Sequence, residues 1–319
     1  MLKGVHMYRV ERIKVAESAD TISFGACMDT SDLSGLGEDG SSEDPTLVMD
    51  SAPEAEGPRR ELALSLAGAT DQGGRLRNED SYLLKGDSCV VSDGIGGAPY
   101  GDLFSKLCCR AFVDDWKTGL GALPPTPWQL DGEKDLEPLM RSTFVNVDGF
   151  VSRVGSYIGK GSGATLIAAV RCDKNLLLGS VGDTAAFCLD ERGELARVMR
   201  DSGRAEGRGN ALSEAMGYRV IEGDKSRVQT ARLPLAEGMR VVLCSDGVWT
   251  QLSRGRMAEI LRESGDPYVS AFRLVHEAVE AYGARSDNAT AVVIHVSAPL
   301  REELTPTLPK ARARDERGH

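Results

Sequence analysis

The sequence predicts an α+β fold built on antiparallel sheets, and three observations predict it. Strand-like apolar runs outnumber helix-like ones. Most neighbouring strands are separated only by hairpin-length turns such as Asp173-Lys174-Asn175 and Glu191-Arg192-Gly193. The helical stretches come in pairs rather than one between every two strands, which argues against a parallel βαβ sheet.

The elements follow in order. Residues 1–60 stand apart as an N-terminal extension. Their central stretch, DLSGLGEDGSSEDPTLVMDSAPEAEGPRR, is acidic and rich in Ser, Gly and Pro. Such a composition buries too little apolar area to offset its ordering entropy, so a linker is expected. Within it, residues 7–26 are expected to supply a small strand or docking element. From Glu61 the chain turns globular. ELALSLAGAT, SYLL and SCVVSD read as strands. GDLFSKLCCRAFVDDW reads as a helix with Leu103, Leu107, Ala111 and Phe112 on one face. After a break at Pro124, Pro125 and Pro127, a longer helix is expected from Asp135 to Tyr157. Its Leu139, Met140, Phe144, Val147, Val151 and Val154 recur every three or four positions. The stretch from Gly163 to Met199 reads as a strand meander, and MRVVLCSDG as a further strand. Helices are expected over Val248–Glu263 and Pro267–Tyr282, and ATAVVIHVS closes the domain near residue 298. Residues 299–319 are expected to be a charged tail.

Composition narrows the function. The chain has 319 residues and 41% hydrophobic side chains, enough for a sizeable core. Its net charge of -10 argues against nucleic acid as a partner, which would want a basic face. No apolar run approaches the ~18 residues a membrane helix needs. MLKGVHMYRVERIKVAESAD lacks an apolar core, so no signal peptide is expected. The seven cysteines show no Cys-x-x-Cys spacing and read as reduced thiols of a cytoplasmic protein.

Strands repeatedly start or finish at an acid. Asp80 precedes SYLL, Asp93 ends CVVS, Asp183 follows NLLLGSVG, Asp246 follows VVLCS, and Asp287 precedes ATAVVIHV. Each alone is ordinary turn chemistry. If these ends meet at one edge, the carboxylates crowd one another, and a divalent cation relieves the repulsion. Only four histidines are present, none beside these acids, so an oxygen-only site for Mg²⁺ or Mn²⁺ is expected rather than zinc.

The segments TDQGGRLRNEDSY, SDGIGGAPYGD, GSGATLIAAV, GSVGDTAAF, GNALSEAMG, VVLCSDGVW and SDNATAVVI, in this order, resemble the motifs of the metal-dependent Ser/Thr protein phosphatases of type 2C in their bacterial form. The resemblance implies a four-layer αββα sandwich and a binuclear centre of two Mn²⁺ or Mg²⁺ ions. It implies that Asp93 bridges the ions, that the Gly94 carbonyl binds one, and that Asp246 and Asp287 hold the other. It also implies that Glu79 and Asp80 hold metal-bound waters and that Arg75 grips the substrate phosphate. Direct attack by a metal-bridging hydroxide would need no Cys or Ser nucleophile, so Cys244 beside Asp246 is not expected to act as one. Bulk at Gly94, Gly96 or Gly97 is expected to obstruct the turn after Asp93. The implied partners are phosphorylated proteins, a Ser/Thr kinase or its targets among them, met by a monomer.

The sequence departs from the pattern in two places. Gly-Asp-Ser-Arg appears as Gly182-Asp183-Thr184-Ala185, without the arginine. IGKGSGAT carries Lys160 where many bacterial members have an acid, so a third metal site is expected to be weak or missing, or Lys160 to stand in for it electrostatically. A rival reading is a catalytically silent regulatory or scaffold module. Loss of metal acids would mark it, yet Asp93, Asp246 and Asp287 are present. A nucleotide-binding reading of GIGGAPYG lacks the Gly-Lys-Ser that would follow.

Overall fold

The computed structural model describes residues 9–15 as backbone, and residues 62–96, 98–122, 135–158, 161–190, 192–199, 214–217 and 227–298. The linker, the C-terminal tail, Gly97 and Lys160 lie outside them. One sheet has six strands in the order β1 (Arg9–Val15), β2 (Ala63–Asp71), β11 (Ala289–Ser297), β10 (Arg240–Cys244), β7 (Ala185–Leu189) and β8 (Leu195–Arg197). The other has five: β3 (Asp80–Lys85), β4 (Ser88–Asp93), β5 (Leu166–Cys172), β6 (Asn175–Val181) and β9 (Gln229–Pro234). All neighbouring strands pair antiparallel.

Strand alternation builds the layers. In β4 and β5, Val90, Leu166, Ala168 and Val170 face α1 (Gly101–Ala122) and α2 (Glu137–Ile158), against Phe104, Phe112, Met140 and Phe144. Their neighbours Cys89, Val91, Ile167 and Ala169 point the other way, onto Leu66, Val241, Leu243, Val292 and Ile294 of the six-stranded sheet. The outer face of that sheet, with Val242, Cys244, Ala291 and Val293, packs on α4 (Arg254–Glu263) and α5 (Pro267–Tyr282) through Ile260, Leu261, Leu274 and Val275. Helices, sheet, sheet, helices is the expected four-layer sandwich. Both faces of each sheet are covered, so the central strands read as continuous apolar runs rather than as a half-solvated alternation. Each large side chain buried this way is worth roughly 1.5–3 kcal/mol.

Three expectations change. The meander is broken: β5 and β6 form a hairpin, but β7 pairs with β10 and β8 in the other sheet. The chain changes sheets at Gly182–Thr184. The helix expected over Val248–Glu263 is two: α3 (Asp246–Trp249), then α4, whose Ser253 hydroxyl caps the new start by accepting from Arg256 N at 3.1 Å. Strand β9 is additional. It is an edge strand whose residues are all at least partly exposed, so its apolar signal is diluted. From the N-terminal stretch, β1 adds to β2 as an edge strand.

The register sends one end of each central strand to a common edge. Asp80 opposes Asp93, Cys244 opposes both Ala185 and Ala291, and Ala289 opposes Asp71. The opposite direction carries His295 roughly 25 Å from Asp287 along β11. There it is buried, with its pKa lowered to about 4, first by that burial.

Candidate metal centre

The strand-end acids meet at this edge. Asp93 closes β4, where its backbone is fixed on both sides by Thr165: Asp93 N donates to Thr165 Oγ1 at 3.0 Å, and Thr165 N donates to Asp93 O at 2.8 Å. Burial raises the Asp93 carboxyl well above the usual carboxylate range, and the charges of Asp80, Asp246, Asp183 and Asp287 raise it further. Asp80, its cross-strand partner, is buried and pushed up to about 7, chiefly by that burial, with Asp246 adding to it. Burial also raises Glu79, and Asp102 in the first turn of α1 adds to the shift. Acids from six separate chain segments are thus involved, their charges bearing on Glu79, Asp80 and Asp93.

Backbone geometry explains how they get there. Gly94 N donates to Glu79 O at 3.1 Å, holding the turn after Asp93 against the start of β3. A Cβ on Gly94 would lie 2.4 Å from Gly101 O, so the close approach of this turn to α1 requires glycine. Gly96 is different: a Cβ there meets nothing within 4 Å, so bulk would not obstruct the turn at that position. At the other sheet, Asp246 opens α3. A Cβ on Gly247 would lie 1.9 Å from Asn288 O, so glycine lets the Asp246 turn lie flat on the Asp287–Asn288 backbone.

Two side chains tie the two sheets at the site, and neither stands out from sequence alone. Ser245 Oγ, in the six-stranded half, donates to Asp80 Oδ2 in the other at 2.6 Å, and Thr290 N donates back to Ser245 Oγ at 3.0 Å. Asn288 Oδ1 accepts from Glu79 N at 2.9 Å, while its Nδ2 donates to both Gln72 O and Arg77 O at 2.8 Å. Thr165 acts within one sheet, holding the end of β4 to the start of β5. The signal for Asn288 was its place beside Asp287 in SDNAT; nothing in the sequence says which strands it bridges.

Arg75 sits on the loop between β2 and β3 and makes a 2.5 Å ion pair with Asp287 Oδ2. The guanidinium is therefore stationed at the rim of the acids. Asp183 is buried just after the sheet change, its carbonyl accepting from Trp249 Nε1 at 3.1 Å. Ala185, where the resembled motif has arginine, is buried against the α4–α5 layer. Cys244 faces the same layer, and burial pushes its thiol far above the range in which a thiolate nucleophile forms.

The residue types suit a hard cation. All donors at this edge are carboxylate, carbonyl or hydroxyl oxygens, and Asp80 Oδ1 is buried without a hydrogen bond among the described residues. Among the described residues, however, no three His, Cys, Asp or Glu side chains converge as a ready-made cage. Asp287 is engaged by Arg75 instead.

Residues 67–292 match the protein phosphatase 2C family. The chain belongs to that family. Among its relatives is the Listeria monocytogenes serine/threonine phosphatase stp, 26% identical over 241 residues, covering 70% of this chain and 88% of that protein. Another is the Mycobacterium tuberculosis serine/threonine protein phosphatase PstP, 26% identical over 252 residues, covering 74% of this chain and 45% of that protein. A solved structure, the catalytic domain of PstP in complex with two manganese ions, covers 74% of this chain and the whole of that domain, with a TM-score of 0.61 at 24% identity. That likeness is one of fold. Membership makes the chain a phosphoprotein phosphatase of type 2C. Among the described residues no helix is long and apolar enough to cross a membrane.

Proposed function

We propose that this chain is a metal-dependent protein Ser/Thr phosphatase whose centre is the acid edge. The observation that carries the reading is the meeting of strand ends: Asp80 lies opposite Asp93, Ser245 beside Asp246 bonds to Asp80, and the charges of Asp246, Asp183 and Asp287 act on Asp93. Folding gathers charges that repel, which is costly unless a cation is bound. Asp93 would bridge two Mn²⁺ or Mg²⁺ ions, Gly94 O would contribute to one, and Asp246 and Asp287 to the other. Glu79 and Asp80 would orient coordinated waters, with Ser245 fixing Asp80 by its 2.6 Å bond. When bound, the ions supply Lewis acidity: they neutralise phosphoryl charge and make water nucleophilic near neutral pH. Arg75 offers its planar fork to the phosphate, a role its exposed position beside Asp287 permits.

The substrates would be phosphoserine and phosphothreonine on proteins, including a Ser/Thr kinase or its targets. Retention of Asp93, Asp246 and Asp287 favours an active enzyme over a silent module. The test is release of phosphate from a generic aryl phosphate. Activity is expected with Mn²⁺, none with chelator, and a loss beyond ~100-fold in Asp93→Ala, since even outer partners of metal sites cost 10–100-fold. Undiminished hydrolysis by Asp93→Ala would refute the assignment.

A further inference from the structure

Resting on that reading, we propose that Arg77 and Arg285 form a basic rim at the mouth of the centre, selecting phosphopeptides with acidic residues beside the phosphorylated Ser or Thr. The chain as a whole carries -10 and the centre itself is built of acids. Against that background the mouth is unusual. Two segments bring arginines to it: the β2–β3 loop with Arg75 and Arg77, and the 3-10 turn Gly283–Arg285.

The two segments are in backbone contact. Gly74 N donates to Ser286 O at 3.1 Å and to Ser286 Oγ at 2.9 Å. A Cβ on Gly74 would lie 2.2 Å from Ala284 O and 3.1 Å from Arg285 N. Asn288 grips the other end of the loop through Arg77 O. Arg75 is paired with Asp287, but Arg77 and Arg285 are exposed and form no ion pair among the described residues. The charge of Arg77 reaches Glu79 at the centre. Between Arg75 and Arg77, Leu76 is 98% exposed.

Free guanidinium groups on a fixed loop beside a phosphate site offer charge-assisted bonds to carboxylates. A peptide whose phosphoresidue enters the centre must pass its flanking residues over this rim. Acidic flanks meet Arg77 and Arg285; basic flanks meet repulsion. Rim charges of this kind shift affinity by about 3- to 10-fold and are screened by salt.

The test uses two fluorescent phosphothreonine peptides, flanked on both sides by Asp or by Lys, and the full chain with Mn²⁺. Equilibrium binding is read by anisotropy after chelator has stopped turnover, and turnover by phosphate release in Mn²⁺. The acidic peptide is expected to bind about 3- to 10-fold more tightly at low salt, with the gap closing near 0.5 M. Arg77→Glu with Arg285→Glu is expected to invert the preference. Lys85→Glu, at the other end of β3, makes the same kind of charge change away from the mouth and is expected to keep it. Equal affinities, or a preference that survives the double reversal, would overturn the rim. Failure to hydrolyse an aryl phosphate would overturn the phosphatase reading instead, and the binding preference would still decide the rim.

Discussion

Asn288 does more for the centre than its sequence position announces. One side chain fixes Glu79 N, Gln72 O and Arg77 O, and so sets the loop that carries Arg75. It touches no substrate; it positions the groups that would. Asn288→Ala is expected to weaken Mn²⁺ binding and turnover by 10- to 100-fold. Titration calorimetry with Mn²⁺ measures the first, and Asn288→Asp, which keeps the acceptor for Glu79 N but loses the donor, is expected to fall between. The acids themselves were legible in the sequence because apolar runs stop at them. Asn288, Ser245 and Thr165 were not, because their roles depend on which strand ends meet, and pairing between residues 72 to 216 apart leaves no local pattern.

The elements show the same division. Helices α1, α2 and α5 were readable because one face of each must be apolar to cover a sheet. The break between α3 and α4 was not, since Val248, Leu252 and Met257 keep an almost helical spacing across it and the capping Ser253 is a weak mark. The sheet change between β6 and β7 was hidden because both strands are buried and apolar. Edge strand β9 is held by a polar latch: Arg141 on α2 donates to Thr230 Oγ1 at 2.6 Å, to the Val228 carbonyl, and to Glu137 Oε1 at 2.8 Å. Arg141→Ala is expected to cost about 1–3 kcal/mol, the usual loss for charged hydrogen bonds, and chemical denaturation would read it. Because the latch sits on an edge strand of the other sheet from Asp246 and Asp287, Mn²⁺ affinity is expected to stay unchanged.

At the scale of the molecule, the two half-sandwiches share one end at which acids gather, and that end sets how stability responds to pH and metal. Asp80 titrates near 7 in the folded chain against 3.8 when free, and Asp93 is raised well above the same value. The folded state therefore holds protons there that the unfolded state has released. Its contribution to stability is present below pH ~4 and is lost as pH rises through ~7. In chelator, the melting temperature is accordingly expected to fall across that window, as far as these two groups set it. Mn²⁺ competes with those protons, so it is expected to raise the melting temperature most at the alkaline end, by mass action on the folded state. Calorimetric scans at pH 5 and pH 8, with and without Mn²⁺, give the comparison; a stabilisation that is larger at pH 5 would contradict it.

The most direct measurement is anomalous diffraction at the manganese edge from crystals grown with Mn²⁺. The account predicts two peaks about 3.5–4 Å apart on either side of Asp93, one reaching Gly94 O and the other Asp246 and Asp287. Manganese density elsewhere on the molecule, with Asp93 touching none of it, would contradict the account.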